Sequence, residues 1–202
     1  MSDTRNMIHQ KLVRELPANS RNIPSVIIRY LTTEDLSHGT FYDFFDKYGC
    51  DSGTPLQLDR DDVIGSVSDY WGYYIGAFTP NYTMVGICSL GGPEGVFPKA
   101  DGTKDVVLSD LYVLPEYRGL KIGSALVSGA AEIALREHGS SCLIYLSPLS
   151  DRLAYGFYKP LGFRAYGDDR PDWLFADDGM SCEASRVARL SFSKTNPKEV
   201  ER

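Results

Sequence analysis

One stretch of the chain holds most of its chemical potential. Leu108-Ser109-Asp110-Leu111-Tyr112-Val113-Leu114-Pro115 reads as a buried strand stopped by proline. Glu116-Tyr117-Arg118-Gly119-Leu120-Lys121 is a short loop, and Ile122-Gly123-Ser124-Ala125-Leu126 opens a helix. The first N–H groups of a helix lack partners within it and sit at the positive end of its dipole. Glycines let backbone approach an anion closely, and Arg118 and Lys121 add full positive charges. Together these residues favour a pyrophosphate; the alternative is an ordinary strand–helix turn with a solvated arginine. Two other phosphate motifs are absent. Gly119 and Gly123 are too close together for G-x-x-x-x-G-K-S/T, no lysine follows Gly123, and there is no G-x-G-x-x-G here.

A second stretch, Asp151-Arg152-Leu153-Ala154-Tyr155-Gly156-Phe157-Tyr158-Lys159-Pro160-Leu161-Gly162-Phe163, places Ala154 and Tyr158 four residues apart on one helix face. Taken alone, Tyr158 reads as a core aromatic with a satisfied hydroxyl.

Tyr117-Arg118-Gly119-Leu120-Lys121-Ile122-Gly123 resembles the acetyl-CoA motif of the GNAT (Gcn5-related N-acetyltransferase) proteins, Arg/Gln-x-x-Gly-x-Gly/Ala, preceded by its strand. Lys121 stands at the motif's first glycine. It carries a Cβ, so a positive φ is costly there, and its ammonium can donate charge to a phosphate instead. The second stretch resembles the family's N-x-x-A-x-x-x-Y-x-x-x-G-F segment, with Asp151 in place of the usual asparagine. The likeness covers Asp105 to Phe163 well and the rest more loosely. It implies a mostly antiparallel sheet splayed at the acetyl-CoA site. Leu111, Tyr112 and Val113 would offer backbone to the pantetheine arm, Arg118 to Ser124 would hold the pyrophosphate, and Asp151 and Ala154 would line the cofactor. An N–H near Leu111 at a strand bulge would polarise the thioester carbonyl. Tyr158 becomes the acid for the departing thiolate.

The implied reaction is direct attack by a neutral amine, which needs no protein nucleophile and no metal. No Cys/His or Ser/His/Asp arrangement argues otherwise. The ammonium must lose a proton, to a base or a water chain. Ser109 occupies the position of an acid in some relatives. Asp110 matches an aspartate of diamine acetyltransferases and reads two ways, as the group that binds or deprotonates the amine, or as a cap on backbone near the bulge. Asp172 and the stretch Asp59, Asp61, Asp62 are weaker candidates. His9, His38 and His138 show no partner pattern, and His138 reads as a helix-end residue.

Positioning these residues requires a scaffold, and its order is legible. Ser25–Tyr30 reads as a strand. Thr32-Thr33-Glu34-Asp35 carries an N-cap pattern before a helical stretch with Phe41, Phe44 and Phe45. Residues 56–70 read as polar, with a short helix. Residues 71–78 and 84–90 form a hairpin, with Trp71, Tyr73, Tyr74 and Phe78 read as core packing, or else as lining an acceptor cleft or dimer face. Residues 105–113 are a buried strand, and 123–137 a helix closed by His138 and Gly139. A strand at 142–146 and a short helix at 150–158 follow. Phe163–Tyr166, Trp173–Ala176 and Val187–Phe192 read as further strands. The fold class is α/β, a mixed sheet with helices on both faces. Residues 23–194 form one domain, flanked by a flexible arm (1–22) and a frayed tail (195–202).

The composition suits a globular protein, 43% hydrophobic and 24% charged. A net charge of −6 argues against non-specific nucleic-acid binding and suits a cationic small acceptor. No apolar run approaches the roughly 20 residues of a membrane span, and residues 1–22 lack a signal-peptide core, so a cytoplasmic protein is expected. Cys88 and Cys142 lie in apolar runs and read as core thiols. Three functions stay open: acetylation of a small amine, acetylation of a peptide or protein amine, and a regulatory acyl-CoA-binding module. Homodimers are common in the family, which leaves a dimer open here.

Overall fold

A computed structural model of the chain describes residues 14–16, 25–50, 58–69, 73–91, 96–99, 104–146, 152–166 and 179–190. Its strands are β1 (Arg14–Leu16), β2 (Val26–Tyr30), β3 (Tyr73–Phe78), β4 (Met84–Leu90), β5 (Val96–Pro98), β6 (Lys104–Val113), β7 (Leu143–Leu146), β8 (Arg164–Ala165) and β9 (Met180–Glu183). Its helices are α1 (Thr33–Leu36), α2 (Gly39–Cys50), α3 (Arg60–Asp69), α4 (Ile122–His138), α5 (Arg152–Tyr158) and α6 (Ala184–Ala188). The nine strands form one sheet in the order β1-β2-β3-β4-β6-β7-β9-β8, with β5 paired to β6. Every pairing is antiparallel except β6 with β7.

Side chains alternate faces along a strand, so the register assigns each residue to a side. Ile28, Ala77 and Gly86 share one face, as do Tyr30, Ile75 and Cys88. A Cβ built on Gly86 would lie 3.2 Å from Leu126 of α4, which identifies this as the α4 face. Small residues such as Ala125, Ala130 and Ala134, all fully buried, let α4 lie close to the sheet. The opposite face carries Ile87, Ser89 and Tyr112, and its aromatic layer comes from α2. Tyr112 meets Tyr48 edge-on at 4.8 Å and Phe44 at 6.0 Å. Covered on both sides, β4 is buried at every residue.

The α1 cap forms as its residues dictate. Asp35 accepts the Thr32 N–H at 2.8 Å and its hydroxyl at 2.9 Å. Arg29, stacked 4.1 Å over Phe78, donates to both Asp35 oxygens at 2.6 and 2.5 Å.

Two expectations need correction. Residues 14–16 of the expected flexible arm form β1 on β2, with Leu16 only 8% exposed, because an apolar side chain there covers the sheet edge. The expected strand at Val187–Phe192 is instead preceded by β9 and begins inside α6. There Ala184 N–H bonds Cys142 O at 3.0 Å and Ser128 donates to Val187 O at 3.0 Å, tying this segment to α4 as a helical turn. The expected strand at Trp173–Ala176 lies outside the described residues. Among the described residues no helix is long and apolar enough to cross a membrane, and no group of three metal-ligating side chains is found.

Candidate active site

The site begins with an irregularity in β6. Ile87 pairs with Tyr112, but Ser89 pairs with Ser109, so Cys88 alone faces two residues, Asp110 and Leu111. This is a β-bulge, and its first residue, Asp110, has φ 54°, a left-handed conformation uncommon for a side-chain-bearing residue. On the other flank, β6 pairs with β7 only through Val106–Ile144 and Val107–Tyr145. Among the described residues no strand pairs with that flank from Leu108 to Val113, so the two strands part there. Leu114 N–H donates to Val85 O at 3.0 Å on the β4 side. By alternation Tyr112 also addresses β4, while Leu111 and Val113 direct backbone groups into the gap. Leu111 and Val113 are half-buried, whereas the Tyr112 ring belongs to the aromatic layer.

The loop after β6 leads to the start of α4. Gly119 has φ 76° and Lys121 φ 65°, with Leu120 between them outside the left-handed region. Such alternation turns successive N–H groups into one concavity that suits an anion. The expectation that Lys121 avoids positive φ is therefore wrong. At the cap of α4 Lys121 adopts the left-handed conformation with its side chain exposed. Among the described residues the N–H groups of Gly119 to Ser124 have no backbone partner, and the first to bond is Ala125, to Lys121 O at 3.0 Å. Arg118 is exposed, and its Nε donates to Val113 O at 2.9 Å while its guanidinium lies 5.3 Å from the Tyr112 ring. The side chain thus bridges the strand end and the loop.

Gly123, in the first turn of α4, stands close to α5. A Cβ there would lie 3.3 Å from Phe157 of α5 and 3.9 Å from Val113. The same contact brings α5 beside the loop. Ile122 is buried, Leu120 and Ser124 are half-buried, and Ala154 is half-buried against the core. Asp151 lies outside the described residues, as do Asp172 and Trp71.

Tyr158 closes α5 and is 9% exposed, packed edge-on against Phe157 at 4.9 Å and Phe163 at 5.5 Å. Burial, and then the neighbouring Cys88, push its phenol well above the usual range, so it stays protonated at neutral pH. Cys88 is wholly buried, and burial with Asp110 close by raises its thiol likewise. It packs as a core thiol, as expected. Cys142, also buried, is pushed up to about 12.

Asp110 accepts from Ser89 Oγ at 2.8 Å and from Tyr74 Oη at 3.2 Å, both on Oδ2. Ser89 and Cys88 are consecutive on β4 and point to opposite faces. The Asp110 carboxylate is therefore served from the α2 face, while Tyr158 approaches beside Cys88 from the α4 face. Of the weaker candidates, Asp59 caps α3 by accepting the Asp61 N–H at 2.7 Å. His38 stacks beside Tyr82 at 6.4 Å. The His138 ring, at the end of α4, is half-buried, and its Nε2 has no hydrogen-bond partner among the described residues.

Residues 31–163 match the family model described as the acetyltransferase (GNAT) family. The chain belongs to the GNAT family. The fold agrees. GNAT YhbS from Escherichia coli, solved in complex with CoA, superposes with a TM-score of 0.59 at 12% identity, over 82% of this chain and 86% of that one. Naa50 from Arabidopsis thaliana, in complex with the bisubstrate analogue CoA-Ac-MVNAL, gives 0.53 at 20% identity over 78% and 98%. A spermidine N-acetyltransferase chimera of Vibrio cholerae SpeG and hSSAT gives 0.54 at 13% identity over 82% and 99%. As a GNAT chain, this protein belongs with acetyltransferases. Two of its site residues were not singled out for chemistry in the sequence. In the sequence Tyr74 reads mainly as packing, and the one signal for Ser89 is a lone hydroxyl in the otherwise apolar run Met84–Leu90.

Proposed function

We propose that this GNAT chain transfers the acetyl group of acetyl-CoA to a primary amine of a small cationic acceptor. One observation carries the reading: β6 parts from β7 at a bulge, and the strand leads directly into a loop of unpaired N–H groups at the start of α4. That is a flank for an amide-bearing arm followed by a cradle for its phosphates. The residues fit the group. Gly119 supplies a left-handed turn, Gly123 lets the start of α4 lie close to Phe157, and Arg118 and Lys121 supply charge. CoA in the E. coli relative and the CoA-linked analogue in the Arabidopsis one support the choice of co-substrate.

Bound acetyl-CoA supplies an activated acetyl thioester. Leu111 and Val113 pair their backbone with the pantetheine arm, and a bulge N–H at Leu111 donates to the thioester oxygen. Asp110 receives the acceptor ammonium and takes one of its protons to solvent, which frees the lone pair for attack at the carbonyl carbon. The C–N bond forms and the C–S bond breaks. Tyr158 Oη gives its proton to the leaving sulfur and is restored by a second proton from the nitrogen. Of three ammonium protons, one remains in the amide, one ends on the thiol and one is released.

The test is an acceptor screen that follows free thiol release over polyamines, aminoglycosides, amino acids and peptides, with thermal shift by acetyl-CoA alongside. Release with a small polyamine is expected. Release with peptides only transfers the reading to a protein N-acetyltransferase. No release with any amine, together with no thermal shift, refutes the enzymatic reading.

A further inference from the structure

We propose that Tyr74 and Ser89 are positioning residues that fix the Asp110 carboxylate for a cationic acceptor amine, and so select the charged acceptor. The inference rests on the acetyl-transfer reading above and extends it to residues outside the family motif.

The geometry is specific. Both hydroxyls donate to one carboxylate oxygen, Oδ2, at 2.8 and 3.2 Å. Oδ1 accepts no hydrogen bond among the described residues, and Asp110 forms no ion pair among them. Two neutral donors on one oxygen orient the group without neutralising it, and the second oxygen retains its affinity for an external cation. The backbone gives the same direction. The left-handed bulge at Asp110 turns this side chain out of the strand's regular alternation, toward Ser89 and Tyr74, which are cross-strand partners on the α2 face. Ser89 is 5% exposed. A hydroxyl in that setting needs a partner, and the carboxylate is the one it has.

Tyr74 is suited to act as donor only. Burial, then the charges of Asp110 and of Asp62 on α3, raise its phenol well above the ordinary value, so it does not ionise in the working range. Of the described residues, those whose charge acts on Tyr74 and Cys88 are Asp110 itself and Asp62 from α3, and neither is cationic. An alkyl ammonium entering from this face meets one half-buried carboxylate held in a single orientation, whereas a neutral amine gains no such attraction.

The experiment uses Tyr74→Phe and Ser89→Ala in the full chain, with spermidine and the pentapeptide Met-Val-Asn-Ala-Leu as acceptors. Wild type and variants are compared by kcat and KM across pH, by acetyl-CoA affinity, and by calorimetric binding of each acceptor to the CoA-loaded protein. Each variant is expected to lose about tenfold to a hundredfold in kcat/KM where the amine is charged. The loss shrinks as the pH rises and the amine becomes neutral, acceptor binding weakens in parallel, and acetyl-CoA affinity is unchanged. Ser89→Thr, which keeps the hydroxyl, recovers most of the loss. An equal loss at every pH, or unchanged acceptor binding, overturns this inference while leaving acetyl transfer intact. No acceptor-dependent thiol release by the wild type refutes the reading beneath it.

Discussion

Removing a single oxygen atom tests the mechanism most directly. Tyr158→Phe deletes the hydroxyl but keeps the ring, and the ring does the packing, edge-on against Phe157 and Phe163. Folding should hardly respond, since among the described residues no group hydrogen-bonds that hydroxyl. Catalysis should respond strongly. A positioned general acid contributes about a hundredfold to ten-thousandfold, and at roughly 1.4 kcal/mol per decade the barrier rises by about 3–5 kcal/mol. The loss belongs in kcat, because the proton is delivered in the chemical step. The pH dependence has a definite sign. The folded phenol titrates above its unfolded value, so its contribution to stability is complete below about pH 10 and is lost as pH rises through the higher folded value. The wild-type rate should therefore show no alkaline fall from this group across the neutral range. The assay is thiol release with a saturating acceptor, with thermal melts of both forms. Retention of more than half the wild-type kcat by a folded Phe variant would show that sulfur leaves without Tyr158.

Three further outcomes follow from the geometry. Lys121→Gly relieves a left-handed residue and should raise stability by up to about 1 kcal/mol, a gain of about 2–4 °C in melting temperature, while loss of an exposed charge weakens CoA binding about twofold to fivefold. Asp35→Asn should destabilise by about 1.5–3 kcal/mol at neutral pH, read from urea melts. Although burial opposes it, Arg29 and Thr32 hold the Asp35 carboxyl below its ordinary value, so in wild type this stability is present above about pH 4 and vanishes as pH falls through the folded value. Gly86→Ala places a Cβ 3.1 Å from Tyr112 O and 3.2 Å from Leu126, and should cost about 1–3 kcal/mol by melting and disturb transfer through the adjoining strand.

How far the sequence reaches depends on how local each cause is. The α4 helix, the β3–β4 hairpin and the Thr32–Asp35 cap are set by near neighbours, and they were legible. The loop at Arg118–Gly123 was legible as a phosphate cradle because glycine, charge and a helix start adjoin one another. Its left-handed Lys121 was not, since that conformation is imposed by the strand entering on one side and the helix leaving on the other. The bulge was expected only through resemblance; its position shows in the register against Cys88, a non-local fact. Tyr74 and Asp110 are 36 residues apart, and Ser89 and Asp110 are 21 apart, so no spacing rule links them. Near the C-terminus Val187–Phe192 reads as a strand, and contacts with Cys142 and Ser128 hold Val187 in α6 instead.

The two-residue ladder between β6 and β7 has a mechanical consequence. The halves of the sheet on either side of it share few direct ladder bonds, and beyond Val107 one link between them is the contact of α6, which follows β9, with α4 through Ser128 and Val187 O. A molecule lying along the open flank of β6 acts there as a missing rung. At a hundred times its dissociation constant such a ligand adds about 2.7 kcal/mol to folding, and hydrogen exchange should slow first in β7 and β9, on the far side of the seam.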